Sequence, residues 1–523
     1  MANKMSRLTR FFIIGVFLLA LIARIIPGPR TIDDSYITFR YSRNILAGNG
    51  FVFNRGERVL GTTTPLYTIL LSSIALFTGK TNAPFPWIAL IINALADAVT
   101  CVLLFQICKK SGFTIAGISL ALVWAIAPYS VTFAIGGLET SLYILLLISA
   151  LYFYLNNHYQ LCALLLGFSF LTRPDALIFI GLYLVSRLCV ACKTRSYSIS
   201  TWSKEIAAFL LPVLPWMIFA SIYFGNPIPH SLLAKSVTYS LPSNAALERL
   251  IQHYATPFLE HLTFGVPSIA VGLVLYPFLS LVALYHFWKN DQQMSIVLLY
   301  PFLYFGVFAI ANPLIFRWYL SPPLPFYFML ILISAEKMLK SLLTVRGIDR
   351  FQKRTPTLFN YGIIPVIIIL PPLLFSAKGW TMSPDHGNKS PAPEMAYIQL
   401  ELLYKNALDK LLCKVNVDTN ATLAAGDVGV LGYYSGLRIL DTVGLNSTEA
   451  LDYYPLDKKY YAINYAIPPD LILDYKTEYI IILEVYGRLG LLKDNRFNDT
   501  YTLIEKIPTD MYGSDGMLIF SKK

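Results

Sequence analysis

The chain is 523 residues long, 55% hydrophobic and only 14% charged, with a mean hydropathy of +0.55. That balance excludes a soluble globule of ordinary composition and points to a polytopic membrane protein. The net charge of +11 does not mark a nucleic-acid surface, because the basic residues are spread over short loops between apolar runs, as membrane topology requires.

Arg7 and Arg10 precede the first apolar run, 11–26, which carries Arg24 near its far end and closes on Ile26-Pro27-Gly28-Pro29-Arg30. No small-x-small cleavage site ends it, so it is predicted to be a retained anchor rather than a cleaved signal peptide. A span needs about 20 apolar residues, fewer where neighbours help. Further spans are predicted at 87–108, 113–134, 141–155, 161–172, 176–192, 205–223, 267–287, 294–311, 318–336 and 360–376. The run 65–78 is not counted. Counting it would place Lys109, Lys110, Lys193, Arg195, Lys204 and the cluster Arg346, Arg350, Lys353 and Arg354 opposite Lys4, Arg7 and Arg10, against the positive-inside rule. It is therefore predicted to lie on, or dip into, the outer face. Eleven spans then put the N-terminus in the cytoplasm and the C-terminus outside the inner (plasma) membrane. Residues 1–376 form a transmembrane domain whose first outer loop is 27–86, and 377–523 an extracytoplasmic domain.

With this topology the unusual polar residues collect on one side. The first outer loop opens with the adjacent carboxylates Asp33 and Asp34, then Tyr36, Arg40 and Arg43 at near-helical spacing. Two neighbouring anions at a membrane edge need a proton, a metal or a cation to offset them, unless one of them simply caps a helix. Glu139 lies in the next outer turn, and Arg173 and Asp175 in the turn of a hairpin of two short helices. A bare charge at that depth costs roughly 2.5 to 3.5 kcal/mol, so these residues need partners, each other included, or a wet cavity. His230 and Lys235 follow Asn226-Pro227-Ile228-Pro229, and Arg317 stands beside Trp318 and Tyr319. Carboxylates, cations and aromatics at one depth suit a substrate with a charged head and a tail in the bilayer, its phosphate held by Arg and Lys. Snorkelling anchors use the same residue types, and both readings stand for Arg317. No His, Cys, Asp and Glu cluster has metal-ligand spacing.

From about Ala377 the chain turns polar. Apolar runs at 421–425, 438–443, 479–484 and 516–520 are predicted strands, and 393–413 and 427–435 predicted helices, giving a small α/β domain. Gly426, Gly429 and Gly432 lack the dinucleotide spacing and are read as turn and packing positions. Tyrosine pairs at 433–434, 453–454 and 460–461 either stack on acceptor sugars or face the domain core. Five of the six cysteines lie in or beside apolar runs, against a disulfide framework.

The stretch from Asp33 to Tyr67, Gly137-Leu138-Glu139-Thr140, Leu171-Thr172-Arg173-Pro174-Asp175, Asn226-Pro227-Ile228-Pro229, Ala425-Gly426-Asp427-Val428-Gly429 and Gly432-Tyr433-Tyr434-Ser435-Gly436 together resemble bacterial GT-C glycosyltransferases over nearly the whole chain. The resemblance is closest to the terminal arabinofuranosyltransferases of mycobacterial arabinan. It extends more distantly to the lipid A aminoarabinose transferase and the protein O-mannosyltransferases. It implies an all-α polytopic fold, a sugar donor on polyprenyl phosphate, and an extracytoplasmic glycan, glycolipid or glycoprotein as acceptor. An acidic residue just after the first span is the family's base. Asp33 matches that position; Asp34 matches the second, which would orient the base, hold the acceptor or share a divalent metal that the resemblance alone admits. Glu139 falls where relatives place another acidic residue. The expected substrate-binding set is Tyr36, Arg40, Glu139, Arg173, Asp175, His230, Lys235 and Arg317, with Arg173, Lys235 and Arg317 as phosphate ligands. A single inverting displacement fits these groups, since the phosphodiester already carries a leaving group and needs only a base and cations. The rival readings are a lipid-linked sugar flippase and a noncatalytic subunit of an envelope glycan assembly complex. A transporter should show internal repeats and midplane polar residues, and neither is visible in the sequence.

Overall fold

The computed structural model describes residues 6–194, 199–343, 363–382, 390–396 and 398–523. Lys4, Arg195, Arg346, Arg350, Lys353 and Arg354, which carry part of the predicted inside charge, lie outside the described residues.

Among the described residues each of the eleven predicted spans falls largely on helix; 318–323 is a 3₁₀ turn and bend ahead of helix Leu324–Leu343, and 360–362 lies outside the described residues. Among the described residues six helical segments are long and apolar enough to cross a membrane unaided: Arg7–Ile25, Phe85–Lys110, Ala176–Lys193, Ile199–Phe224, Val266–Asn290 and Gln292–Ala311. A bent pair, Thr114–Ile126 and Pro128–Ile135, would make a seventh. Helices such as Tyr159–Thr172, with 14 residues, are only about 21 Å long, short of a hydrocarbon core of about 30 Å. The outward faces are apolar: in Ile199–Phe224 and Val266–Asn290 only 17% of the spanning window is buried, a surface that lipid covers. This is a multi-pass membrane protein.

The bend in the pair has a local cause. Pro128 has no N–H to give the carbonyl of Trp124, so the first helix stops and the second resumes at 41°. Arg24, fully buried, reaches the freed carbonyls, donating to Ala125 O at 2.8 Å and to Trp124 O at 3.5 Å. Its remaining donors go to Ala20 O, Ser130 Oγ and the Asp97 carboxylate, the last at 2.8 Å. Asp97 in turn accepts from Ser141 Oγ at 2.8 Å and from Trp124 Nε1 at 3.4 Å. The helix so anchored ends at Ile135 and Gly136, whose carbonyls accept the backbone N–H groups of Arg30 and Ile32. That pairing sets the angle at which helix Asp33–Leu46 begins.

The C-terminal part is a small α/β domain. Strands β1 (Trp380–Thr381) and β2 (Ala392–Pro393) form an antiparallel pair on their own. Strands β3 (Thr422–Ala425), β4 (Arg438–Asp441), β5 (Tyr479–Leu483), β6 (Tyr501–Ile507) and β7 (Met517–Lys522) make a five-stranded mixed sheet of order β4-β3-β5-β7-β6. β3 is parallel to β4 and β5, while β7 is antiparallel to β5 and β6. β6 was not among the predicted strands; its pattern of exposed Thr502, Leu503 and Lys506 on an edge hides the alternation.

Packing does not follow the predicted domain boundary. Helix Asp33–Leu46 and helix Pro65–Thr78 share one apolar core with the sheet, in which Phe39, Phe53, Tyr67 and Leu71 meet Leu423, Ile439 and Leu431. The run 65–78 thus lies against the outer helix, where Ser42 Oγ donates to Thr68 O.

Candidate active site

The site grows from the N-terminus of helix Asp33–Leu46. Adjacent helical residues point about 100° apart, so neighbouring carboxylates face different surroundings. Asp33 is turned into the C-terminal domain, where its two oxygens accept the N–H groups of Gly429 at 3.0 Å and Val430 at 2.8 Å. It caps the helix Gly429–Ser435 from outside that helix's own chain segment. A β-carbon at Gly429 would fall 1.8 Å from Asp33 O, which is why glycine stands there. Burial and the nearby Asp427 carboxylate push the Asp33 carboxyl well above the usual range, while the two N–H groups oppose them.

Asp34 faces the other way. It is half-buried and makes no hydrogen bond or ion pair among the described residues; burial raises its pKa and the charge of Lys235 holds it back. Lys235, on helix His230–Thr238, lies over the Phe316 ring at 5.1 Å. Burial works to lower the pKa of its ammonium, but Tyr319 and Asp34 outweigh burial and raise it. The two opposite charges are close enough to tune one another without closing into an ion pair.

Around them sits a network of ion pairs. Arg173 binds both oxygens of Asp175, at 3.0 and 3.1 Å, and Glu139 at 3.2 Å. Its guanidinium lies 5.0 Å from the Tyr319 ring, and Tyr304 Oη donates to Asp175 at 3.2 Å. Three of the five guanidinium N–H donors are therefore committed inside the protein. Arg317 is exposed, begins the 3₁₀ turn Arg317–Tyr319 and has no hydrogen bond or ion pair among the described residues.

The structure thus brings Asp34, Glu139, Arg173, Asp175 and Lys235 together, and Arg317 stands in the chain between Phe316, under Lys235, and Tyr319, beside Arg173. Three expected ligands stand apart. Arg40 is a brace: it donates to Phe53 O, Gly432 O, Leu437 O and Asn54 Oδ1, at 2.5 to 3.1 Å, so four of its five donors are taken inside the protein. Tyr36 Oη bonds Glu401 at 2.8 Å and Tyr434 Oη at 3.2 Å across the domain seam. His230 starts its helix against the first outer loop, giving its backbone N–H to Leu60 O. Arg173 is likewise an ion-pair hub before it is a phosphate ligand.

The chain aligns at 12% identity, over 99% of its length and 98% of the other's, with ArnT from Cupriavidus metallidurans bound to undecaprenyl phosphate, at a TM-score of 0.58. The fold is that of ArnT, a GT-C fold. The Archaeoglobus fulgidus oligosaccharyltransferase, solved with zinc and sulfate, matches the same architecture at a TM-score of 0.53 and 12% identity, over 97% of this chain and 72% of that one. By sequence the chain is 29% identical over 268 residues to the terminal β-(1→2)-arabinofuranosyltransferase of Mycobacterium tuberculosis, covering 46% of this chain and 40% of that protein. The Corynebacterium glutamicum enzyme of the same name is 28% identical over 291 residues, 50% of this chain and 39% of its own. The chain therefore matches less than two thirds of the length of either relative. Residues 398–520 match a family described as a domain of unknown function, DUF8728.

Within this ArnT-like frame one residue completes the site that the expected set omitted. Asp427 accepts from Tyr404 Oη at 2.7 Å and Tyr486 Oη at 3.0 Å, both on the same oxygen. Burial lifts its pKa from 3.8 to about 6, against those two hydrogen bonds and with help from Asp34. Tyr239 feels the carboxylates of both Asp34 and Asp427. The motif Gly426-Asp427-Val428-Gly429 was the signal for Asp427; nothing in the sequence singled out Tyr239. A divalent ion does not fit these donors. Both Asp33 oxygens are taken by backbone N–H groups and one Asp427 oxygen by two tyrosines, and among the described residues no three His, Cys, Asp or Glu side chains are grouped to hold a metal.

Proposed function

We propose that the protein is an integral-membrane glycosyltransferase that moves a sugar from a polyprenyl-phosphate donor to an extracytoplasmic glycan, glycolipid or glycoprotein. The observation that carries the reading is the unclosed pair of Asp34 and Lys235: a half-buried anion and a half-buried cation act on one another's charge, with no bond between them among the described residues. A reacting sugar phosphate fills such a gap. The acceptor hydroxyl oxygen attacks the anomeric carbon, the bond from that carbon to the phosphate oxygen breaks with its electron pair leaving on phosphate, and the hydroxyl proton passes to Asp34. Lys235 and Arg317 hold the departing phosphate by charge-assisted hydrogen bonds. Asp34 thus takes the role expected of Asp33, whose oxygens already accept two backbone N–H groups.

Support comes from the ArnT-like fold and from the arabinofuranosyltransferases matched in sequence. In this reading the site faces the outside of the inner membrane, with the N-terminus in the cytoplasm and the C-terminal domain in the periplasm or beyond. The test is incubation of purified protein with a panel of radiolabelled polyprenyl-phosphate pentoses and hexoses and with membrane glycans. Transfer from one donor is expected. Movement of intact lipid-linked sugar across vesicles without transfer would favour the flippase, and neither outcome the accessory subunit.

A further inference from the structure

The C-terminal domain contains a cavity that the transfer step does not use. Its volume is about 520 Å³, and it opens among the 3₁₀ turns Thr448–Tyr453 and Lys458–Tyr460, the start of helix Pro469–Tyr475 and the segment 489–496. Tyr460 forms one wall. Its ring rests on Gly490, where a β-carbon would fall 3.0 Å from Tyr460 Cδ1, and its hydroxyl has no hydrogen bond among the described residues. Opposite chemistry comes from Arg496, paired with the half-buried Asp494 at 2.7 Å and the exposed Asp470 at 2.8 Å, which orients the planar guanidinium against both carboxylates. Asp452 and Lys493 complete the charged lining.

We propose that this cavity binds a saccharide chain and holds the acceptor glycan away from its reacting end. Three observations select a sugar. The Tyr460 ring, held between Gly490 and the Lys459 ammonium 5.1 Å from its centre, presents its edge and unbonded hydroxyl to a sugar ring. The carboxylate–guanidinium pairs present the acceptors and donors that vicinal hydroxyls need. Three carboxylates against two cations repel a free anion such as a phosphate, and the volume is that of a small-ligand site. The cavity also connects to the reaction site through one short stretch of chain. Next to Tyr460, Tyr461 Oη donates to Thr238 O at 3.2 Å; Asn464 O accepts the Ser240 N–H at 3.0 Å; and the Tyr465 ring lies 6.2 Å from that of Tyr239. A glycan seated at Tyr460 can extend along residues 461–465 toward Asp34.

This inference rests on the transferase reading for its purpose, but binding needs no donor and is measured without one. Saturation-transfer NMR on the full-length protein in detergent would use soluble oligosaccharides of arabinose, of mannose and of glucose. One class is expected to bind. Tyr460→Ala and Arg496→Ala should each weaken that binding about tenfold, the size of one aromatic or charged contact. Binding of none of the three classes, or binding that ignores both cavity substitutions, would overturn the proposal. Arg496 is largely exposed, so its substitution tests the site even where Tyr460→Ala disturbs the fold. In a transfer assay Tyr460→Ala should raise KM for a long acceptor and leave a disaccharide acceptor unaffected. An equal rise for both would also overturn the subsite. Absence of any transfer beside intact saccharide binding would strike the transferase reading and leave the cavity standing.

Discussion

Two pairs of opposite charges in this protein use the same chemistry and end in different states. In the bundle, Arg24 and Asp97 touch at 2.8 Å, both fully buried, with each remaining donor or acceptor answered by backbone or hydroxyl. By contrast, Asp34 and Lys235 feel one another's charge yet form no ion pair among the described residues, and both stay partly accessible. A buried pair whose partners are complete can only brace, since the cost of removing it from water is already offset internally. A pair left incomplete keeps its electrostatic field for something that enters. Saturation, more than burial or charge, separates the two roles here, and it also moves Arg40, with four of its five donors taken, to the bracing side.

The comparison is broken most directly at Asp34. Asp34→Asn keeps the shape and removes the proton acceptor, so sugar transfer should fall about a hundred- to ten-thousandfold with the thermal midpoint unchanged. Ordinary turnover by folded Asp34→Asn would end the assignment. The bundle pair should answer in the opposite way. Arg24→Ala strands a buried Asp97 carboxylate and two backbone carbonyls, at a cost of about 3 to 5 kcal/mol, seen as a lower thermal midpoint and a lower yield of monodisperse protein. Replacing Asp97 by Leu in the same protein should recover part of that loss, because the stranded charge is gone.

A smaller effect sharpens the contrast between the adjacent aspartates. Asp33→Asn turns an amide N–H₂ toward one of two backbone N–H groups, leaving it unanswered at about 1 to 3 kcal/mol. Limited proteolysis should show a looser C-terminal domain, with transfer by the folded fraction near normal. Complete loss of transfer at unchanged stability would return the base to Asp33. The smallest effect is one of slope. Asp427 has a folded pKa raised from 3.8 to about 6, so the folded protein holds that proton more tightly. The stability this contributes is complete below pH 4 and is lost as pH rises through 6. Asp427→Asn should remove that decline, at most about 1.4 kcal/mol per pH unit, in thermal unfolding curves from pH 4 to 7. Because both tyrosines bond one Asp427 oxygen, an amide oxygen there keeps them.

Much of this frame was legible in the sequence. The helices were, because a span needs a long apolar run, and so were β3, β4, β5 and β7, which are compact apolar segments. Charge asymmetry led to the expectation that the loops carrying Glu139, Arg173, Asp175, Lys235 and Arg317 share a side, and the first four do lie near one another. Their bonding did not follow. Arg40 was read as a ligand because its partners are backbone carbonyls up to 397 residues away, and a carbonyl has no residue identity to notice. The different fates of Asp33 and Asp34 were hidden for another reason: one step along a helix decides which way each points, and only the packed neighbour gives those directions meaning. β6 escaped because an edge strand need not alternate cleanly.

The cap that Gly429 and Val430 receive from Asp33 also bears on how the protein is made. Asp33 leaves the ribosome early, and its partners follow 396 and 397 residues later. Until then the first outer loop has a raw apolar flank, with Phe39, Phe53 and Tyr67 awaiting a sheet that does not yet exist. Contacts of such sequence separation form slowly and leave intermediates open to misassembly. The carboxylate of Asp33 is therefore answered only once helix Gly429–Ser435 has been made, and a chain that stops before β3 lacks both N–H groups that cap it.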